Sequence, residues 1–229
     1  MDYNKLTPET LSELSRITGA ENVLSGQSIG ADMCHDERPL YGTSVPEAVV
    51  YVQDWGEEHP GRKTRYDLVT VEKGALTINM DAQAPNRVFA EWAAGGGFLP
   101  HLCSIRPEVT FGASRFDFYW ETASDRGFVE VKGVTLEEDG LARFPDAPTE
   151  RGVKHIQELQ RTVEAGDGAV LFFVVQMEGI QSVQPNDATH PAFGAALRQA
   201  AKQGVQVLAR GCRVEPSRLE MAEEIPVVL

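Results

Sequence analysis

The sequence predicts a mixed α/β fold on three observations. Segments near the middle of the chain alternate apolar and polar residues at hairpin distance. Two stretches of helical period then interleave with apolar strands. Between them Ala169 to Met177 runs without a charged residue, the mark of a strand buried on both faces. Strands joined first by hairpins and afterwards by helices give a sheet of mixed direction, an α/β or α+β arrangement.

The elements are expected in this order. Residues 3–18 form a helix, with Thr7 as N-cap, Pro8 in the first turn, Leu11, Leu14 and Ile17 on one face, and Gly19 as the stop. Ser25 to Pro46 has no period and is cut by Gly26, Gly30, Pro39, Gly42 and Pro46, so it is a loop. Ala48–Val52 is a short strand, Tyr66–Glu72 a half-buried one, and Leu76–Met80 its neighbour across Lys73-Gly74-Ala75. A polar loop, Asp54 to Lys63, lies between the first two strands. Asn86–Ala94 is helical, and Gly95-Gly96-Gly97 suits a domain joint. Glu108–Glu121 and Phe128–Thr135 are strands around the turn residues Ser124, Asp125 and Gly127. Thr149–Glu164 is an amphipathic helix with Val153, Ile156, Leu159 and Val163 on its apolar face. Ala169–Met177 is a strand, His190–Gln203 a helix and Val205–Ala209 a strand. The domains expected are an N-terminal segment 1–48, a small β domain 49–95 and a larger domain 96–229.

Composition narrows the function classes. The chain has 229 residues, of which 42% are hydrophobic and 24% charged, enough for a sizeable core. No apolar run reaches the roughly 18–20 residues of a membrane span, and the N-terminus carries no cationic start or apolar segment of a signal peptide. Three dispersed cysteines, Cys34, Cys103 and Cys212, exclude a disulfide framework and a thiolate zinc site. A soluble cytoplasmic protein without a membrane partner is expected; the sequence does not fix its oligomeric state. The net charge of −13 opposes a nonspecific coat on nucleic acid. The acidity is uneven, with net −5 over residues 1–48 and net −1 over 151–229. Contact with a polyanion must therefore be local, or be helped by a divalent cation at carboxylates.

The stretch that carries chemistry is Arg115-Phe116-Asp117-Phe118-Tyr119-Trp120, followed after a turn by Phe128-Val129-Glu130-Val131-Lys132. Alternation puts Glu130 and Lys132 on one face and Val129 and Val131 on the other. It likewise sets Arg115, Asp117 and Tyr119 against Phe116, Phe118 and Trp120. A four-residue loop from Thr122 to Asp125 opposes Glu121 to Arg126 and, counting back, Asp117 to Glu130, with Cβ atoms ~5 Å apart. Two carboxylates that close repel unless a cation lies between them. Mg²⁺, or Mn²⁺ in its place, takes oxygen ligands and is often held by one or two carboxylates. With Lys132 beside them, these are the parts of metal-assisted phosphodiester hydrolysis, in the D-x-n-(D/E)-x-K arrangement of restriction-endonuclease-like folds. The plain alternative is a solvated cross-strand ion pair. Further along, Thr149 can cap a helix whose first two turns carry Arg151, Lys154 and His155, a geometry suited to a phosphate. The alternative there is surface pairing with Glu150 and Glu158.

These stretches resemble the sugar fermentation stimulation protein A family. The resemblance is carried by FGASRFDFYWE, FVEVKGVTLEEDGLARFPDAPTERGVKHIQEL and AVLFFVVQM. It extends upstream through RKTRYDLVTVEKGALTINMDAQAPNRVFAEW and downstream through GVQVLA and IPVVL, from about residue 49 to the end. It implies a PD-(D/E)XK nuclease-like domain preceded by an OB-like β domain, DNA binding, and a Mg²⁺-dependent nuclease acting on DNA or RNA. On the motif match Asp117, Glu130 and Lys132 take the catalytic positions, with Asp117 and Glu130 as metal ligands. Asn86 and Glu91 match the family's PN…E pattern, which makes Glu91 a candidate third ligand, with an exposed helix acid as the alternative. Thr149, Arg151, Lys154 and His155 match its signature helix. Nucleic-acid contacts are expected from these four together with Arg62, Lys63, Arg65 and Arg115.

Residues 1–48 lack the family's opening strand and its H-x-x-N-T-G-R segment. LTPE, ENVLSG, HDE and PEAVV resemble instead the start of flavin-linked glycolate/lactate oxidases, and the two resemblances meet near Val49–Tyr51. The OB-like domain is therefore expected to be partial. No glycine-rich flavin loops follow, so no flavin is expected. Two other readings stay open: a non-cleaving nucleic-acid-binding regulator of sugar metabolism and, more distantly, a flavin oxidase fragment. His35, His59, His101 and His190 have no ligand-spaced partners, and Cys103 and Cys212 read as core thiols. Trp55, Trp92 and Trp120 read as core residues, with stacking on a base as the alternative for Trp55 in its polar loop.

Overall fold

The computed structural model describes residues 49–54, 66–112, 114–216 and 218–229. The expected helix 3–18, the loop that follows it, and Cys34, His35, Trp55, His59, Arg62, Lys63 and Arg65 lie outside the described residues. The chain divides into two units, Met1–Ala75 and Leu76–Leu229. The division falls before the Gly95-Gly96-Gly97 joint expected from the sequence, because the helix that precedes those glycines packs into the second unit's core.

In the first unit β1 (Val49–Asp54) pairs antiparallel with β2 (Tyr66–Lys73), with a register shift between Tyr51 and Val52. The Tyr51 hydroxyl donates to Glu72 Oε1 at 2.7 Å across this pair. Val50, Val52 and Leu68 are exposed.

The second unit starts with β3 (Leu76–Asn79) and α1 (Ala84–Ala94), a helix with proline in its first turn. The strands β4 (Ser104–Phe111), β5 (Ser114–Glu121) and β6 (Arg126–Val134) follow as a meander. One strand over Glu108–Glu121 is expected from the sequence. The chain instead turns at Gly112, whose positive φ of 57° suits a residue without Cβ. Next come β7 (Leu136–Glu138), β8 (Leu141–Phe144), α2 (Glu150–Glu164), β9 (Gly168–Val175), β10 (Ser182–Pro185), α3 (Pro191–Lys202), β11 (Gln206–Glu215) and β12 (Arg218–Glu224). The main sheet has the order β12-β11-β9-β6-β5-β4, parallel at β6-β9-β11 and antiparallel at both sides. A separate small sheet, β10-β8-β7, packs into the same core as one face of the main sheet.

The mixed α/β class is thus the observed one, with helices on both faces of the main sheet. On one face Tyr119, Phe128, Leu171, Phe173 and Val175 share a buried cluster with Ile156 and Leu159 of α2 and Phe193 and Leu197 of α3. On the other, Phe118, Trp120, Val129, Val131, Val170, Phe172 and Val174 cluster with Val88, Phe89 and Ala93 of α1. Phe89 is fully buried, its ring 4.8 Å from that of Phe172 and 5.0 Å from that of Phe118. β9 is buried along all but its first residue, as a two-sided strand must be. Cys103 is exposed, not a core thiol, because it precedes β4 on a loop. Cys212 is buried, and burial, helped by the charge of Glu223, pushes its thiol up to about 12. Among the described residues no helix is long and apolar enough to cross a membrane.

Gly127 shows how tightly β6 meets β9. A Cβ there would lie 2.4 Å from the carbonyl oxygen of Gly168 and 2.7 Å from Trp120 Cζ2. Backbone cannot yield as a flexible side chain can, so Gly127→Ala is expected to destabilise the fold by about 1–3 kcal/mol. Urea unfolding should show a lower midpoint for the variant at unchanged native circular dichroism.

Candidate functional site

The site is built where β5 parts from β6. Their ladder runs from Glu121↔Arg126 to Phe118↔Val129, in the register the four-residue loop dictates, and stops there. One step further Asp117 is not simply set across from Glu130. Its Oδ2 accepts the backbone N–H of Val131 at 2.8 Å, so the carboxylate stands in for a strand carbonyl. The alternation of β5 breaks at the same residue. Phe116 packs with Tyr119 and Phe128, not with Phe118 and Trp120 as a regular strand would have it. Glu108, on the neighbouring strand, has a positive φ of 55°, so β4 is distorted at the same level. On β6 the alternation holds: Val129 and Val131 enter the core beneath α1, with Glu130 and Lys132 on the opposite face.

Asp117 is fixed from a second side by α1, whose Asn86 Nδ2 donates to Oδ1 at 3.0 Å. Two residues place that helix. At Gly133 a Cβ would lie 2.6 Å from Pro85 Cγ and 2.3 Å from Gln176 Oε1, so only glycine admits the start of α1 this close to β6. The buried Gln176, just beyond β9, directs its Nε2 at Asn79 O and Oδ1, both at 2.9 Å, and at Asp81 O at 3.2 Å, holding the approach to α1.

Glu130 is 2% exposed. Its Oε1 accepts from Lys132 Nζ at 2.6 Å and from His155 Nδ1 of α2. Its Oε2 is buried and has no hydrogen-bond partner. The Nε2 of His155 accepts from Arg151 Nε at 3.3 Å, so in the neutral ring the proton is on Nδ1, facing Glu130. Thr149 is the N-cap of α2 as expected, its Oγ1 accepting the Gly152 N–H at 3.0 Å. The buried His190 at the start of α3 braces that cap by accepting the Thr149 N–H on Nδ1 at 3.2 Å.

The two carboxylates have opposite electrostatic fates. Burial raises the pKa of Asp117 and the charge of Glu130 raises it further; the donors Val131 and Asn86 and the charge of Lys132 offset this only in part. Burial also pushes Glu130 up, but the hydrogen bond from His155 and the charge and hydrogen bond of Lys132 outweigh it and hold its pKa below the usual glutamate value.

The structure therefore brings Asp117, Glu130, Lys132 and His155 together, with Asn86 and Arg151 touching them. Glu91 is exposed on α1. Arg115 is on the surface, 3.7 Å from Glu108. Lys154 and Arg151 are exposed on the first turns of α2. Among the described residues there is no group of three or more His, Cys, Asp or Glu side chains arranged for a metal. Any ion here would depend on two carboxylates and on ligands from water or substrate. Gln176 and His190 were not singled out by sequence as site residues. A glutamine ending an apolar strand was the one visible sign of the first.

A family model described as the sugar fermentation stimulation protein RE domain matches residues 83–218. A sugar fermentation stimulation protein homolog of Desulfitobacterium hafniense is 52% identical over 185 residues, covering 81% of this chain and 80% of that protein. One from Ruminiclostridium cellulolyticum is 45% identical over 185 residues, covering 81% of each. Among solved structures, Pyrococcus furiosus SfsA in complex with Ca²⁺ is similar with a TM-score of 0.73 and 26% identity, over 81% of this chain and 80% of that one.

The raised pKa of Asp117 has a definite sign. Its contribution to stability is fully present below the ordinary aspartate pKa and is lost as pH rises through the raised value, so the ionised form is a cost at neutral pH. Asn86→Ala removes a donor to the charged form and should move the Asp117 titration still higher, as followed by carboxyl ¹³C NMR.

Proposed function

The chain belongs to the sugar fermentation stimulation protein family, and from that premise we propose that it is a metal-dependent nuclease that binds DNA or RNA and hydrolyses phosphodiester bonds. The observation that carries the reading is the buried, partnerless Oε2 of Glu130 beside a second carboxylate whose pKa its charge raises. A buried acceptor without a donor is costly, and an acidic pair of this kind suits a hard cation better than it suits water-free protein. Mg²⁺ or Mn²⁺ fits the donor set, which is oxygen only, with Asp117 and Glu130 as the holding residues. The similar Pyrococcus furiosus protein was solved in complex with Ca²⁺, another oxygen-seeking ion.

On this reading the main sheet with α1, α2 and α3 is a restriction-endonuclease-like PD-(D/E)XK domain, and the strands within residues 49–95 are the remnant of an OB-like domain. When bound, the ion would polarise the scissile phosphate and make a bound water acidic. The protein's own groups do the rest. Asp117, fixed by Asn86 and Val131, and Glu130, fixed by Lys132 and His155, hold their oxygens in place without rearrangement. Lys132, the amine held 2.6 Å from Glu130, keeps a positive charge at the acidic pair, where it can orient a water or offset charge on a phosphate. The N–H groups of the first turn of α2, together with exposed Arg151 and Lys154, offer a phosphate further donors.

The test is a Mg²⁺ and Mn²⁺ titration with single-stranded DNA, duplex DNA and RNA. Metal-dependent cleavage by the wild type is expected. Asp117→Ala and Lys132→Ala should each lower it at least ~10²-fold, and Lys132→Ala should leave nucleic-acid retention in a filter assay largely intact. Absence of cleavage of all three substrates with either ion, with binding intact, would overturn the nuclease reading in favour of a non-cleaving regulator.

A further inference from the structure

The geometry points to His155 as a positioning residue for Glu130, setting which carboxylate oxygen faces the metal, and not as a phosphate contact. The inference deepens the metal reading above and rests on it. Three observations converge. His155 is 8% exposed, so a phosphate meeting the surface of α2 cannot reach it. Both ring nitrogens are occupied, Nδ1 by Glu130 Oε1 and Nε2 by Arg151 Nε. The two donors to Glu130, His155 and Lys132, fall on the same oxygen, while Oε2 has none.

The consequence is mechanical. A carboxylate whose Oε1 is gripped from an adjacent strand position and from a helix cannot rotate about its terminal bond, so Oε2 is presented as a single-oxygen ligand. Arg151 acts one step further out. By donating to Nε2 it selects the ring form with its proton on Nδ1, the only neutral form that can donate to Glu130. Arg151 and His155 are four residues apart on α2, one above the other on a single helix face, so one helix delivers the whole relay. Metal sites commonly orient ligands through such outer hydrogen bonds, and losing one costs about 10–100-fold in affinity.

The experiment uses the full chain and Mn²⁺ alone, with affinity read by isothermal titration calorimetry. His155→Leu keeps most of the volume and removes the donor; Mn²⁺ binding is expected to weaken about 10–100-fold. His155→Asn keeps an N–H near the position of Nδ1 and should restore affinity to within about threefold of wild type. Binding of single-stranded DNA without metal should be unchanged in His155→Leu. Wild-type Mn²⁺ affinity in His155→Leu, or a loss of metal-free DNA binding in it, would overturn the inference. Failure of the wild type to bind Mn²⁺ would instead overturn the metal reading beneath it. Should His155→Leu fail to fold, ¹⁵N NMR of the wild-type imidazole decides: a proton on Nδ1 is expected, and one on Nε2 would overturn the proposal.

Discussion

A single hydrogen bond, from the backbone N–H of Val131 to the carboxylate of Asp117, sets the geometry of the centre of this domain. An antiparallel ladder can end only where the donors it abandons find other partners, because an unmet buried N–H costs about 1–3 kcal/mol. Here the side chain of the departing strand supplies the acceptor itself. β5 can then leave β6 at Asp117, the phase of its side chains changes there, and Phe116 turns toward Phe128. The same bond anchors the carboxylate to the residue that follows Glu130 in sequence, on a strand buried between helices. A regular ladder would have left Asp117 free to point anywhere its rotamers allow.

That anchoring creates an electrostatic problem that the surrounding residues settle unequally. Glu130 receives the ammonium of Lys132 and the imidazole of His155, and its charged form is favoured despite burial. Asp117 receives only an amide and a backbone N–H, which are weaker donors than charged ones, and its charged form is disfavoured. Two carboxylates whose pKa values are driven apart by their environments differ in what they can do: one stays an anion, the other gains most from a new positive charge nearby. The incomplete compensation at Asp117 and the bare oxygen of Glu130 are two signs of one deficit of positive charge at this place.

Much of this was legible in the residues, and the reasons are specific. The period of Val153, Ile156, Leu159 and Val163, with Thr149 ahead of it, fixed α2 because capping and amphipathicity are local. The unbroken apolar run after Gly168 fixed β9 for the same reason. The hairpin register from Glu121↔Arg126 to Phe118↔Val129 follows from loop length, but it ends one pair short of Asp117 and Glu130. What was not legible depends on contacts far apart in sequence. Nothing around Phe116 shows that β5 turns over, since the cause is a bond to Val131 on another strand. The role of Gln176 depends on Asn79 and Asp81, nearly a hundred residues earlier. His155 was visible as a site residue but read as facing outward, because the run Arg151, Lys154, His155 does not reveal which member the helix turns inward.

The charge of the whole chain limits how such a site could meet a polyanion. A net charge of −13 repels one at a distance, but at physiological salt that repulsion fades within ~8 Å, so contact is decided by groups at the surface of the site. There, among the described residues, the positive charges are divided in their duties. Lys132 is committed to Glu130, and Arg151 gives its Nε to His155. Lys154 alone, of the cations expected on α2 from the sequence, has neither commitment. An ion held by the two carboxylates, as proposed above, would add its own attraction for phosphate and so couple substrate affinity to metal occupancy.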